Sequence, residues 1–359
     1  MAIDPSYKTE AVNLLKNLVR IPSFSREEEK TADLIGSFLE SKKIRYNRHL
    51  NNIWAVNKYF DPGKPTLLLN SHHDTVQPNK GYTLDPFEPA EKDGKLFGLG
   101  SNDAGGALVS LVACFVFFYE AKNLSYNIVL AATAEEEITG RNGIEAVLPL
   151  LPPIDCGIVG EPTLMQLAIA ERGLMVLDAK AKGLAGHAAR KEGVNALYIA
   201  MDDINWLRNY QFEKQSEWLG AVSMQVTSIE TPNKTHNIVP SECSFMVDVR
   251  INELYSHEEI LEVIKQHIKS EITPRSFRLR SSSIAEDHPL VQAALRTGGK
   301  CYGSPTSSDK ALMPFPTLKL GPGESARSHT ADEFIFTAEI EQGIKAYISI
   351  IETLAGGHL

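Results

Sequence analysis

The chain has 359 residues, of which 43% are hydrophobic and 23% are charged, and its formal net charge is −9. This composition is typical of a globular protein, and the length favours more than one domain. Because the chain is acidic and contains no run of Lys or Arg, nucleic acid and anionic membrane surfaces are not expected as partners.

The four cysteines are far apart, and no two of them form a CxxC pair. This spacing argues against a thiolate zinc site and against a disulfide scaffold, so we expect reduced thiols. The N-terminal segment lacks the basic and apolar regions of a signal peptide, which predicts a cytoplasmic location.

Two helices are predicted at the start of the chain. Residues Lys8–Arg20 carry apolar side chains at helical spacing, and Pro22 ends this pattern. Ser25 and Glu28 have the spacing of a capping box, which predicts the beginning of a second helix at that point.

Apolar strand-like segments then alternate with helical ones up to residue 172. The segments "NNIWAVNKYF", "PTLLLNSHHDTV", "YNIVLAATA" and "CGIVGEPT" are strand-like, and each contains a short apolar run. Such strands are typical of a mostly parallel sheet with both faces covered, so the fold class is α/β. The apolar segment Ala104–Tyr119 is shorter than the roughly 20 residues that span a bilayer, and we predict a buried helix instead of a membrane span.

Residues 173–280 have a different pattern. Strand-like segments with period two alternate with two helical segments in the order β-α-β-β-α-β, which predicts a small ferredoxin-like α+β sheet with an edge that could pair with another subunit. The α/β pattern returns over 281–359, where "HPLVQAALRTGGKCYG" is predicted as a helix. We therefore expect a catalytic domain formed by 1–172 and 281–359, with 173–280 inserted into it.

Histidines and carboxylates follow several of the predicted strands, where ligands bind in open α/β sheets. Each one alone is equally compatible with a surface His–Asp pair, a helix N-cap or a solvated turn. Together they form a nitrogen and oxygen ligand set without sulfur, which suits Zn²⁺, Co²⁺ or Mn²⁺. The residues are His72, Asp103, Glu161, His329 and the glutamates of the run Glu135–Glu137, of which one could bind metal and its neighbour could hold a water, while Asp74 could accept the other N–H of His72.

Five segments in order resemble the motifs of the M20 family of dinuclear metallopeptidases and deacylases. They are "SHHDTVQP", "GLGSNDAGG", "EEEITG", "GEPT" and "SHTADEF". The similarity extends along the whole chain and is greatest to the branch of acetylornithine deacetylase, succinyl-diaminopimelate desuccinylase and glutamate carboxypeptidase. The second segment lacks the Arg that is usual in the family, and Glu135 stands where the family usually has Asp.

The resemblance implies two divalent metal ions, with Zn²⁺ or Co²⁺ as the expected elements. One would be held by His72 and Glu161 and the other by Glu137 and His329. Asp103 would bridge the two ions, and a cis peptide is expected between Asn102 and Asp103.

The resemblance also implies catalytic roles. Glu136 would be the general base, Asp74 would orient His72, and His73 and Glu135 would not take part. In the inserted segment, which corresponds to the family's lid and dimerisation domain, His187 would stabilise the oxyanion across a homodimer.

Substrate contacts are implied less completely. Asn237 and Arg250 would bind the carboxylate of the substrate, but Ser308–Ala311 departs from the family's usual sequence and leaves the local contacts open.

These features predict a metal-dependent amidohydrolase that removes an acyl group from an N-acyl amino acid. N-acetylornithine in arginine biosynthesis is the first expectation, with acetylcitrulline or an N-succinyl analogue next. A dipeptidase or carboxypeptidase is the alternative within the enzymes. A catalytically silent binding protein is the alternative outside them, although no expected ligand is missing, and a serine hydrolase is disfavoured because no GxSxG segment occurs.

Overall fold

The structure is a computed structural model that describes residues 4–190 and 192–355. It contains two compact units. The first comprises the described residues up to Ile169, Ser283–Tyr302 and the described residues from Ser308 onward. The second comprises Ala170–Ser282 and Gly303–Ser307. The domain boundaries expected at 172/173 and 280/281 remain a prediction.

The helices are numbered in chain order. They are α1 Ser6–Val19, α2 Glu29–Ser41, α3 Gly106–Phe118, α4 Ile144–Val147, α5 Ala196–Asn209, α6 His257–His267, α7 Pro289–Leu295 and α8 Thr337–Leu354. A distorted helical turn, Ser101–Gly105, precedes α3. Short 3₁₀ turns occur at Leu148–Leu150, Ala188–Arg190, Asp309–Leu312 and Ser325–Arg327.

The strands are numbered in the same way. They are β1 Asn47–His49, β2 Asn52–Val56, β3 Thr66–His72, β4 Ala90–Lys92, β5 Lys95–Phe97, β6 Asn127–Thr133, β7 Cys156–Val159, β8 Leu167–Glu171, β9 Gly173–Lys182, β10 Gly186–His187, β11 Ser223–Glu230, β12 Ile238–Val239, β13 Glu242–Ile251, β14 Glu271–Pro274, β15 Ser282–Ser283, β16 Cys301–Ser304, β17 Thr317–Lys319 and β18 Phe334–Phe336.

The largest sheet has the strand order β1-β2-β6-β3-β7-β17-β8-β15, with β16 paired to β8. Its central strands β6, β3, β7 and β17 are mutually parallel. Every residue of β3, β6 and β7 is buried, which accounts for the apolar run in the middle of β3 and β6 and for the apolar sequence of β7. The predicted α/β class with a mainly parallel central sheet is therefore confirmed.

Helix α3 lies in the interior of the first unit, where it contacts α1, α8 and β3. The window Ser101–Phe118 is apolar and long enough to cross a membrane, but 83% of it is buried inside the folded chain. A helix that is apolar on all sides is expected in such a position, because every face meets another apolar layer.

The second unit contains an antiparallel sheet of order β11-β13-β9-β14 together with α5 and α6. Burial alternates along β9 and β13, so that one face of the sheet forms the core of the unit with residues such as Leu177 and Val247. The predicted β-α-β-β-α-β order is present.

Two local predictions were wrong. Ser25 and Glu28 do not form a capping box, because α2 begins at Glu29 without a side-chain cap. The Ser25 hydroxyl donates instead to Asp74, 49 positions away. The segment predicted as one helix from His288 is helical only to Leu295, and β16 follows it. Gly298 lies between them with a φ of 94°, a conformation that ends a helix.

Candidate active site

The polar residues after the central strands converge at one edge of the sheet. His72 is the last residue of β3 and lies beside Thr133, the last residue of β6. Glu136 and Glu137 follow β6, and Glu161 follows the parallel strand β7. Because the carboxyl ends of parallel strands meet at the same edge, side chains far apart in sequence are brought together here.

Asp103 completes this group from the distorted turn before α3. Its Oδ1 lies 3.3 Å from His72 Nε2, and its Oδ2 lies 3.6 Å from His329 Nε2. One carboxylate thus faces two imidazoles. The cis peptide bond is between Asp103 and Ala104, so the prediction of a cis bond between Asn102 and Asp103 was wrong by one residue.

The potential ligand atoms form two overlapping clusters. His72, Asp103 and Glu137 present atoms within 4.8 Å of one another, and so do His72, Glu136 and Glu161. His329 Nε2 also lies 3.0 Å from Glu137 Oε2. All five residues predicted as metal ligands are therefore close together, and Glu136 lies beside them.

Asp74 holds the backbone of the glutamate turn. Its Oδ1 accepts a hydrogen bond from the amide of Glu136 and its Oδ2 accepts one from the amide of Glu137, both at 3.1 Å. The Ser25 hydroxyl donates to Oδ2 at 2.7 Å. His72 Nδ1 donates to the main-chain oxygen of Asp74 at 3.0 Å and lies 3.3 Å from Oδ1. Asp74 thus contacts both His72 and the turn that carries two of the carboxylates.

The clustering of carboxylates away from water disfavours their charged forms. Burial raises the pKa of Glu136 well above its usual range, and burial raises the pKa of Glu161 to about 8. Burial also raises the pKa of Glu137, although the hydrogen bond from His329 opposes this effect. A cation beside Glu136, Glu137 and Glu161 would offset the repulsion between their charges and so favour their ionised forms.

The two histidines respond to the same negative environment. Burial lowers the pKa of His72, but hydrogen bonds to Asp103 and Asp74 outweigh it and raise the pKa well above its usual value. The hydrogen bond to Glu137 raises the pKa of His329 to about 9. Both imidazoles thus face carboxylates that attract a positive charge, whether a proton or a metal ion.

Two residues of the same motifs point elsewhere, as the sequence predicted. His73 Nε2 donates to the main-chain oxygen of Asn51 at 2.9 Å, and burial lowers the pKa of this imidazole to about 4. The carboxylate of Glu135 accepts from the side-chain amide of Asn142 at 2.8 Å. Neither side chain is in the two ligand clusters.

Three further buried carboxylates near this group were not predicted as site residues. Asp309 accepts from the Thr133 hydroxyl at 2.9 Å, and burial raises its pKa to about 7. Glu28 accepts from the amide of Glu135 at 3.1 Å, and Glu333 accepts from main-chain amides next to Asp103. Asp309 lies in the segment that departs from the family, and Glu28 was assigned to a helix cap. Glu333 belongs to the segment "SHTADEF", which resembles a family motif, but no role was predicted for it.

The segment Ser308–Ala311 lies inside the first unit. The Lys310 side chain is buried, and its Nζ donates to the main-chain oxygens of Ala168 and Ile169 at 3.3 and 3.1 Å. This lysine therefore contacts the main chain of the β8 region.

The predicted substrate residues lie in the second unit. His187 and Asn237 are exposed and adjoin each other on a two-stranded ribbon, where β10 pairs with β12. The main-chain oxygen of Asn237 accepts from the amide of Ala188 at 3.0 Å. Arg250 forms a bidentate pair with Asp248, at 2.7 and 3.0 Å, so part of its guanidinium is already engaged.

Known proteins resemble this chain in sequence along most of its length. Residues 68–353 match the sequence profile described as peptidase family M20/M25/M40. The succinyl-diaminopimelate desuccinylase of Rickettsia bellii (strain RML369-C) is 26% identical over 379 aligned positions that cover 95% of this chain and 96% of the relative. A second such relative, from Wolbachia pipientis, is 26% identical over 77% of this chain and 73% of its own length.

Solved structures show the same fold at low identity. Aminopeptidase PepT from Bacillus cereus has a TM-score of 0.78 and 19% identity, covering 97% of this chain and 99% of the neighbour. The YXEP protein of Bacillus subtilis, described as a dinuclear metal binding peptidase, has a TM-score of 0.73 and 15% identity, covering 98% and 99%. At these identities the likeness concerns the fold.

Proposed function

Because the chain belongs to peptidase family M20/M25/M40, a hydrolase family that acts on amide bonds, we propose that it is a metal-dependent deacylase of N-acyl amino acids. The observation that carries this proposal is the pair of overlapping histidine and carboxylate clusters, with Glu136 beside the expected ligands. A hydrolase of this type needs a place for cations and a separate proton acceptor.

The residues present fit two divalent cations. Their donor atoms are imidazole nitrogens and carboxylate oxygens, which suit Zn²⁺ or Co²⁺. His72 and Glu161 would hold one ion and Glu137 and His329 the other, while the two oxygens of Asp103 face the two imidazoles as a bridging ligand would. When bound, such ions lower the pKa of water and polarise a carbonyl group.

Glu136 would take the proton from the attacking water. Its Oε2 lies 3.9 Å from His72 Nε2, close to the ligands, and burial holds its pKa well above the usual range. The base would later return this proton to the leaving amine. Asp74 keeps this carboxylate in place through the amide of Glu136.

Three residues of the second unit, His187, Asn237 and Arg250, have proposed roles in the reaction. His187 pairs with Ile238 on the ribbon formed by β10 and β12, and Asn237 immediately precedes β12. We propose that His187 stabilises the oxyanion across a homodimer. Arg250 could bind a substrate carboxylate through the part of its guanidinium that Asp248 leaves open.

The acyl group is the finer part of the proposal. N-acetylornithine is our first choice, with N-acetylcitrulline and N-succinyl analogues next. The relatives named succinyl-diaminopimelate desuccinylase favour testing the succinyl compounds with equal weight. A dipeptidase or carboxypeptidase is the second candidate, because the family profile is that of a peptidase family.

The test is hydrolysis of a substrate panel by protein reconstituted with Zn²⁺ or Co²⁺. The panel contains N-acetylornithine, N-acetylcitrulline, their N-succinyl counterparts, N-succinyl-diaminopimelate and several dipeptides. The variant Glu136→Gln, prepared identically, serves as the blank for contaminating enzymes. We expect hydrolysis of one acylated amino acid at a rate well above the blank. Cleavage of the dipeptides alone would replace the proposal with the second candidate, and inactivity towards every compound would contradict it.

We also propose a homodimer formed through the second unit. Tyr198 and Met201 lie one turn apart on α5 with 66% and 59% of their surface exposed, and β11 is an open edge strand. Light scattering after size exclusion should give twice the chain mass, and a Tyr198→Glu, Met201→Glu double variant should be monomeric. A monomeric parent protein would contradict this proposal. A cytoplasmic location is proposed from the four free cysteines.

A further inference from the structure

Glu333 is a buried carboxylate that contacts the main chain on both sides of the predicted bridging ligand. Only 2% of its surface is exposed. Its Oε1 accepts hydrogen bonds from the amides of Asn102 and Asp103 at 2.8 and 2.9 Å. Its Oε2 accepts one from the amide of Gly100 at 3.2 Å. Three main-chain donors of one short loop therefore converge on a single side chain.

This loop cannot satisfy those donors by itself. Gly100 has a φ of 74°, and the backbone at Asp103 departs from helical values within a distorted turn. The amides of Gly100, Asn102 and Asp103 bond to the Glu333 side chain. Buried main-chain amides require an acceptor, and an unpaired one destabilises the conformation that leaves it unpaired. Glu333 is the acceptor for the amide of Asp103 itself, which fixes the start of that side chain.

A second set of bonds connects the same two segments. The Asn102 side chain accepts from the amide of Glu324 at 3.0 Å and donates to the main-chain oxygen of Glu324 at 3.1 Å. It also lies 3.3 Å from the hydroxyl of Ser328, the residue before His329. Segment 324–333 therefore contacts the loop 100–103 at both of its ends, with His329 between the two contacts.

From this geometry we infer that Glu333 is a positioning residue, which fixes the carboxylate of Asp103 between His72 and His329. The inference rests on the proposed function, since it assigns Glu333 a role in forming the metal site. Glu333 would not touch the metal ions or the substrate. Its loss would move Asp103 relative to the two imidazoles and weaken metal binding, an effect that a purely structural role in folding would not have.

The substitution Glu333→Gln separates these two roles. A Gln side chain has one acceptor oxygen, so its amide group would face at least one main-chain N–H donor that Glu333 now accepts. The adjacent substitution Asp332→Asn is a matched control. It likewise replaces a carboxyl group with an amide, but Asp332 accepts from the amides of Thr83 and Leu84 in a different loop.

The experiment is titration of the metal-free proteins with Co²⁺, followed by absorption spectroscopy and by competition with a chelator. We expect two equivalents bound by the parent and by Asp332→Asn, with the same spectrum. We expect Glu333→Gln to bind about 10–100-fold more weakly and with an altered spectrum, as is typical when a residue that supports a ligand is changed. A folded Glu333→Gln protein with the parent's affinity and spectrum would overturn the inference, even if its melting temperature were lower.

Hydrogen exchange of the unaltered protein provides a second test if Glu333→Gln does not fold. In the metal-free protein, the amides of Gly100, Asn102 and Asp103 should exchange slowly, because their acceptor does not depend on the metal. Rapid exchange there would overturn the inference. A parent protein that binds no Co²⁺ would instead contradict the proposed function, so the two failures are distinguishable.

Discussion

Three buried carboxylates around the active site act on main-chain amides. Asp74 accepts from the amides of Glu136 and Glu137, and Glu28 accepts from the amide of Glu135. Glu333 does the same for the loop that carries Asp103. The loops that bear the reactive side chains are therefore held by other acidic residues. Much of the site's negative charge serves to position these loops.

At the scale of single residues, Glu136 should matter for turnover but not for metal content. We expect Glu136→Gln to lower kcat by about 10²–10⁴-fold, the usual contribution of a general base, with little change in KM. The measurement is steady-state kinetics on the best substrate of the panel, with metal content determined in parallel.

The neighbouring substitution Glu135→Gln is the control for this prediction. Glu135 bonds to Asn142 and lies outside the ligand clusters, so its variant should keep most of the parent's kcat. A Glu136→Gln enzyme with nearly the parent's kcat would refute the assignment of the base.

His329 should determine the occupancy of one metal position. Its side chain is 54% exposed, so His329→Ala should fold normally. We expect this variant to keep about one of two metal equivalents, because His72 and Glu161 are unchanged. Metal analysis after dialysis checks the stoichiometry. Retention of both equivalents would show that His329 is not a ligand, and His49→Ala is a surface control.

At the scale of helices and strands, the sequence predicted that several polar side chains would lie at one edge of the sheet. Each apolar strand ends where polar residues begin, and this change of pattern located His72, Glu136 and Glu161 at one sheet edge. The match to family M20/M25/M40 confirms the resemblance that five motifs indicated. The local sequence pattern is enough to locate the central strands, because a strand that is buried on both faces of the sheet consists mainly of apolar residues.

The contacts that hold the site could not be predicted in the same way. Ser25 has the local spacing of a helix cap, yet its hydroxyl bonds to Asp74, a buried carboxylate that is close only in the folded chain. Likewise, the carboxylate of Glu28 accepts a hydrogen bond from the amide of Glu135. Such partners are set by tertiary packing, which a local pattern does not contain.

Helix α3 should contribute strongly to stability through its complete burial. Leu111 is fully buried, and we expect Leu111→Ala to lower the free energy of unfolding by about 2–5 kcal/mol. Leu150→Ala is the matched control, because Leu150 is 48% exposed and its truncation should change stability by roughly 0.5 kcal/mol or less. Urea unfolding of both variants tests the difference. Equal losses would mean that α3 is not packed as described.

At the scale of the whole molecule, stability should depend on pH in the metal-free protein. Burial raises the pKa of Glu161 and of Glu333 to about 8, whereas the pKa of a glutamate in the unfolded chain is about 4.3. Between these values the folded chain binds more protons than the unfolded chain, so the free energy of unfolding falls as pH rises. The raised pKa of His329, about 9, acts in the same direction above about pH 6.5.

The metal-free protein should therefore melt at a lower temperature at about pH 8.5 than at about pH 6. Saturating Zn²⁺ should raise the melting temperature most at the higher pH, because the ligands are then deprotonated and the ions bind only the folded chain. Scanning fluorimetry with and without a chelator measures both effects. A metal-free protein that becomes more stable as pH rises over this range would contradict the prediction.

The exposure of His329 has a consequence for the rate at which metal ions are exchanged. The position near His72 and Glu161 is attached to the ends of two central strands, β3 and β7, which are paired with each other and fully buried. The position near Glu137 and His329 depends on loop residues and on a half-exposed imidazole. An ion held by Glu137 and His329 can dissociate after a local motion of a loop. An ion held by His72 and Glu161 can dissociate only after local unfolding at the ends of β3 and β7, which is rarer. In a chase with isotopically labelled zinc, half of the label should be lost quickly and the other half slowly.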